Sequence, residues 1–298
     1  MRIKAIIALF ALTSTVAMAQ KGVEDGSRYG HGQDSIDCLN NLSLYGEYVK
    51  TKNYAEAYPY WQKVFADAPI SQHSIYTNGV VILKKLIAAT KDMTERKKYA
   101  DELMSVYDQQ LQYLDKLNLL RKSPWTDFYV KGEKAHTYIT YYPGMDVNKA
   151  YEMLSEAIEL GKADNQYYII GDFMKISTQK FKNDDTHREQ LIQDYITASG
   201  YINTIAEAAN NSTSAQKEAL LKAVATTKEN VDAYFINSGA ADCGQLEAIY
   251  APKVEDNKDN LEYLKKVVSI MGMLSCTESD TYYTAETHPS VTGKRSEN

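Results

Sequence analysis

The sequence predicts an all-α fold, and three observations carry that expectation. Glycine (15) and proline (6) are scarce among 298 residues, which disfavours many short strands joined by turns. Apolar residues recur at three- and four-residue steps. Tyr99, Leu103, Val106, Tyr107, Leu111, Leu114 and Leu117 form one stripe, and Leu220, Leu221, Val224, Val231, Tyr234 and Phe235 another. No stretch alternates with period two for long enough to make a half-buried strand.

The chain opens on a pattern that reads as a secretory signal. Arg2 and Lys4 supply a basic start, Ala5 to Val16 is an apolar run too short to span a bilayer comfortably, and Ala17-Met18-Ala19 fits small-x-small cleavage. Residues 1–19 are therefore expected to be removed, leaving a soluble, exported chain in the periplasm or at the outer membrane. No cysteine follows the cleavage site, which argues against a lipid anchor. Residues 20–36 are polar and glycine-rich and read as a flexible lead-in, 37–276 as one helical domain, and 277–298 as a polar tail.

Within that domain, periodicity and breakers place helices at about 37–51, 54–67, 72–90, 94–118, 124–141, 146–161, 164–180, 186–209, 213–236, 244–255 and 259–275. Lys52-Asn53, Ala68-Pro69, Ser123-Pro124 and Tyr142-Pro143-Gly144 supply the punctuation. Asp280 to His288 looks like the start of one more helix, stopped by Pro289.

Self-similarity sets the architecture. Residues 38–71 read CLNNLSLYGEYVKTKNYAEAYPYWQKVFADAPIS. With Leu44, Tyr48, Tyr54, Ala57, Trp61 and Pro69 at its spacing, this segment resembles a tetratricopeptide repeat. The resemblance implies that Ala57 marks the close approach of two helices, that Trp61 fills the groove beside it, and that Pro69 ends the pair. One departure stands out, because Tyr45 occupies the family's small position and Gly46 follows one place late.

A second unit is recognisable in VNKAYEMLSEAIELGKA, with Ala150, Leu154 and Ala157 at the small-large-small positions. Three first-helix segments share a core glycine: Gly79, Gly132 and Gly171. The implied fold is a right-handed α-solenoid of such helix pairs. Its repeats must be irregular and lengthened, since separations of 53 and 39 residues exceed the usual unit of about 34. In its general cast the chain also resembles exported envelope proteins of the Bacteroidota.

In this repeat family the first helix of each pair lines a concave face, and the residue three before the core glycine points into it. That position holds Tyr76, Tyr129 and Tyr168, and further groove positions are His73, Lys84, Glu133, His136, Asp172 and Lys175. The chain has 24 tyrosines against 6 phenylalanines. Tyrosine suits contact surfaces because it offers a large ring with a polar tip at low entropic cost. The alternative, that these rings only pack between neighbouring first helices, stays open.

Chemistry is harder to find. Removing residues 1–19 takes away two basic groups and no acid, moving the net charge from −6 to −8. That balance disfavours nucleic acid or anionic lipid as partner. There is no phosphate-cradling glycine loop, G-x-S-x-G elbow, H-E-x-x-H or C-x-x-C. The five histidines are scattered. His31 with Asp34 and Asp37 forms the one weak cation set. Cys243 and Cys276, at the edges of helices in one C-terminal segment, are the preferred disulfide in an oxidising compartment, with Cys38 as a packing residue. Three unpaired thiols remain the alternative.

The expected function is a non-catalytic scaffold, without metal or cofactor, that binds a protein or peptide in the envelope. A surface glycan binder of the SusD-like type is the second expectation, since those proteins also carry tetratricopeptide helices. Only Trp125 is left as a sugar-stacking tryptophan once Trp61 is assigned to the core.

Overall fold

A computed structural model describes residues 21–240 and 242–287. The described residues are helical, with no strand among them, and the chain divides after Pro124 into two compact units. The stretch expected as one helical domain, 37–276, extends over both units. Residues 1–19 and the end of the tail lie outside the described residues. The division falls in the helix-free stretch before Thr126, where Pro124 bars its predecessor from helical backbone.

The first unit contains α1 (Gln33–Lys50), α2 (Tyr54–Asp67), α3 (Ser74–Ala89), α4 (Met93–Gln112) and the short α5 (Leu114–Asn118). Consecutive helices pack on one another from α1 through α4. The long helix expected over 94–118 is interrupted at Tyr113. Asp92 opens α4 by accepting the Glu95 N–H at 2.8 Å, which satisfies one of the unpaired amides at the helix start.

The heart of this unit is Trp61, fully buried beside Ala57. Its indole N–H donates to the Ile75 carbonyl at 2.8 Å, and Gly79 lies close against the Cζ2–Nε1 edge of the ring. A Cβ on Gly79 would meet Trp61 Cζ2 at 2.5 Å, so glycine is demanded by the close approach of α3 to the indole. Tyr48 stacks on Tyr60 with ring centroids 5.9 Å apart, and Tyr54 opens α2 half-buried. Pro69, also buried, follows the end of α2.

Two expectations fail here. Leu44 is 41% exposed, whereas Tyr45 is only 2% exposed. The buried stripe of α1 (Cys38, Leu42, Tyr45) runs one residue out of phase with the repeat pattern, because the large side chain at 45 has to be taken inside. The lead-in is also fastened down rather than loose. The Lys21 N–H donates to the Asp67 carbonyl at 2.7 Å, the Arg28 guanidinium donates to the Ser71 carbonyl at 2.8 Å, and α1 already begins at Gln33.

The second unit contains α6 (Asp127–Tyr141), α7 (Val147–Gly161), α8 (Tyr167–Asn183), α9 (Arg188–Asn210), α10 (Lys217–Ile236), α11 (Cys243–Asp256), α12 (Leu261–Met273) and α13 (Asp280–Thr287). α6 pairs with α7 and α8 with α9, while α10 packs on both α8 and α9. α6 starts at Asp127 rather than 124 because Thr126 provides the cap, its hydroxyl accepting the Tyr129 N–H. Ala150, Leu154 and Ala157 are all fully buried on α7. Gly132 abuts Ile169 and Gly171 abuts Thr227. These are the packed helix pairs that the small residues call for.

The chain ends in a small trio. α11, α12 and α13 pack on one another, and the stretch expected as tail supplies α13. The Glu247 carboxylate accepts the Thr281 N–H at 3.0 Å and its hydroxyl at 2.5 Å, which caps α13. Cys243 and Cys276 are joined by a disulfide with Cα atoms 5.5 Å apart, and Cys38 is buried and free. We expect the double change Cys243→Ser, Cys276→Ser to cost the trio about 2–4 kcal/mol, as for bridges closing loops of this size. Amide exchange in α11–α13 measures it. Faster exchange on adding reductant should occur in the natural chain and not in the variant.

Candidate functional site

Six of the nine expected groove residues meet on one face of the second unit, along the parallel helices α6 and α8. On α6, Tyr129, Glu133 and His136 follow one another at four- and three-residue steps. On α8, Tyr168, Asp172 and Lys175 repeat that spacing. Residues so spaced share a helix face, and contacts at nearly constant sequence offset show the two helices to be side by side in the same direction. Glu133 accepts the hydroxyl proton of Tyr168. His136 Nδ1 lies 2.6 Å from Asp172 Oδ2, and its ring stands edge-on to Tyr168 with centroids 5.2 Å apart.

The face is accessible without being loose. His136 keeps 34% and Asp172 18% of its side-chain surface exposed, Tyr129 is 36% exposed, and Lys175 is exposed. Burial and the neighbouring Glu133 carboxylate both push the Tyr168 phenol well above its ordinary value. It therefore acts as a hydrogen-bond donor at all ordinary pH. Nδ1 of His136 is committed to Asp172, which leaves Nε2 as its other polar atom. The face carries two tyrosine rings, a histidine, the carboxylates of Glu133 and Asp172 and the ammonium of Lys175.

The other three expected groove residues are elsewhere. His73, Tyr76 and Lys84 belong to the first unit, at the start of α3 and along it. Tyr76 is only 1% exposed and its hydroxyl donates to the Pro69 carbonyl at 2.9 Å. It is a core residue, so the three-tyrosine ladder is corrected to two. The rule fails there because Phe65 draws the Tyr76 ring inward, edge to face. The cation set at the lead-in also dissolves. His31 bonds Asp25 at 2.8 Å, Asp34 takes Lys21 and Asp37 takes Gln33. No cluster able to hold a metal ion exists among the described residues.

Sequence reasoning missed a buried polar knot between α7, α8 and α9. Asp194, 3% exposed, accepts from Tyr151 at 2.9 Å, Ser177 at 2.5 Å and Gln190 at 2.8 Å. His187 Nε2 lies 3.1 Å from Ser177 Oγ. Since the one proton of Ser177 goes to the carboxylate, His187 must be the donor to Ser177, which fixes its proton on Nε2. A nucleophilic serine needs the reverse, with the imidazole accepting. Serine, histidine and aspartate therefore serve here as a tie between helices. The signal was present: Asp194 sits in the apolar series Leu191, Ala198, Ile202, all buried.

The knot predicts a pH dependence. Burial, with Lys180 nearby, lowers His187 from 6.5 to about 4. The unfolded chain thus takes up this proton first as pH falls, and the stability present above about 6.5 is lost progressively towards about 4. Burial raises the Asp194 carboxyl, whose contribution runs the opposite way and fades as pH rises. Subtracting the stability curve of His187→Gln from that of the natural chain isolates the histidine. The difference should fall with decreasing pH across that window, and a flat difference would contradict the assignment.

The chain matches no protein-family model, and no curated protein or solved structure is similar to it at a significant level.

Proposed function

We propose that this chain is an exported, non-catalytic scaffold of tetratricopeptide type whose helix pairs stack as a right-handed solenoid and bind a protein partner in the cell envelope. One observation carries the reading: the α6–α8 face gathers Tyr129, Glu133, His136, Tyr168, Asp172 and Lys175, six positions that the repeat pattern assigns to a binding groove. Their rigid rings and fixed charges suit an extended peptide segment, which offers donors, acceptors and side chains along its length. The small residues Ala150 and Ala157 on α7, fully buried, support the same repeat assignment.

Photo-crosslinking in the native envelope tests this. A photoreactive aromatic amino acid placed at Tyr129 or at Lys175 is expected to trap the same partner protein. The same group at Leu119, which is 86% exposed in the first unit, serves as control. Adducts from 119 alone, or from neither 129 nor 175, would contradict the proposal. Glycan captured by the purified chain instead would support the sugar-binding alternative.

A further inference from the structure

A second site lies in the first unit, in a cavity of about 490 Å³ between the first half of α1 and the last turns of α2. That volume is in the range of small-molecule pockets. Its floor is apolar and buried, made by Cys38, Val64 and Ala68. The turn segment before α1 closes one side, held by the Lys21 N–H on the Asp67 carbonyl at 2.7 Å. Gly22 permits that closure, because its φ of +79° and its approach to the Arg28 backbone leave no room for a Cβ.

The lining is charged, and its charges are spread along the groove. Around Lys21 stand Asp34, Asp37 and Asp67. Lys21 Nζ is 2.8 Å from Asp34 and 3.9 Å from Asp67, while among the described residues Asp37 forms no salt bridge and takes the neutral Gln33 amide. Three carboxylates thus share one positive charge. One helical turn further along are Lys63, four residues before Asp67 on α2, and Asn40 and Asn41, three and four residues after Asp37 on α1. Lys63 has no carboxylate within salt-bridge distance among the described residues, its ammonium lying 5.9 Å from the Tyr60 ring centroid. Neither asparagine side chain has a hydrogen-bond partner there among the described residues. The Lys21 end of the groove is short of positive charge, and the adjoining turn offers an ammonium without a salt bridge and two amides without a hydrogen-bond partner among the described residues.

A single ion answers only one of these two groups. A metal ion fits poorly besides, since the three aspartates form no metal-holding group. A molecule carrying both an ammonium and a carboxylate answers both groups through charge-assisted hydrogen bonds. We propose that this cavity binds a small zwitterion of amino-acid or dipeptide size, its ammonium taken by the aspartates and its carboxylate by Lys63 with Asn40 and Asn41. The site is independent of the α6–α8 face and stands or falls without it.

Glycylglycine is the probe, titrated into the folded mature chain by calorimetry and followed by the side-chain amide resonances of Asn40 and Asn41. Binding is expected, with those resonances shifting. Capping either end of the dipeptide, as N-acetyl-glycylglycine or glycylglycinamide, should weaken it about tenfold or more, as loss of one charged hydrogen-bond partner implies. Lys63→Met and Asp37→Asn, both at exposed positions, should weaken it similarly with unchanged circular dichroism. Three results overturn the proposal: capped dipeptides binding as well as glycylglycine, binding unaffected by either variant, or no heat and no shift at saturating dipeptide.

Discussion

Trp61→Ala is expected to remove about 3–5 kcal/mol of stability from the first unit, the cost of emptying a fully buried indole site. The ring ties α2 to α3. It stacks on Phe65 with centroids 4.9 Å apart, its N–H closes on the Ile75 carbonyl, and Gly79 covers its edge. Gly79→Ala tests the same contact from the other helix. The new methyl would meet three indole atoms at 2.5–2.7 Å, and the ring is fully buried. Overpacking of this kind costs about 1–3 kcal/mol, less the roughly 1 kcal/mol that alanine gains over glycine inside a helix.

The two changes should couple, because the alanine methyl at 79 projects into the space the indole leaves. In denaturant titrations the double variant is therefore expected to be no less stable than Trp61→Ala alone. Simple additivity of the two losses would show that they act at separate places.

Asp194→Ala should destabilise the second unit by about 3 kcal/mol or more, because it leaves buried donors without an acceptor. Tyr151, Ser177 and Gln190 all point at the one carboxylate. Gln190 is exposed and can turn to water, but Ser177 is fully buried and cannot do so without opening the seam between α8 and α9. Asp194→Asn keeps an acceptor while presenting an amide to one of those donors, so its loss should fall between wild type and alanine. Ser177→Ala breaks the link to His187 but leaves Asp194 two donors, and is expected to cost less than either. The order of the three melting temperatures checks the geometry. Equal losses would mean that the knot is not organised around Asp194.

Much of the fold was legible because helix periodicity and capping act locally. The stripe through Leu103, Val106 and Leu117 is buried as its spacing demands, and Ala57, Trp61, Ala150, Leu154 and Ala157 lie inside where the repeat pattern put them. What escaped was set by tertiary competition. Tyr45 won the interior from Leu44, a choice between adjacent residues that one-sided periodicity does not decide. Tyr76 obeyed the spacing rule for a groove and still turned inward, because the Pro69 carbonyl and Phe65 offered partners.

The lead-in looked loose by composition. It is fixed by backbone carbonyls at Asp67 and Ser71 that no sequence pattern announces. The site was half legible for the same reason. Spacing placed Tyr129, Glu133 and His136 on one face and Tyr168, Asp172 and Lys175 on another. Their meeting depended on α6 and α8 running parallel, which the repeat resemblance supplied and periodicity did not. The division after Pro124 had only one proline and a polar stretch to mark it.

Affinity decides whether the α6–α8 face binds a partner as proposed. The partner trapped through position 129 would be titrated against the natural chain and against Tyr129→Ala, Lys175→Ala, two changes at accessible positions. The double variant is expected to bind about tenfold or more weaker, the scale of losing an aromatic anchor with a charged neighbour, at an unchanged melting temperature. Equal affinity for both chains would place the contact elsewhere and reduce this face to packing.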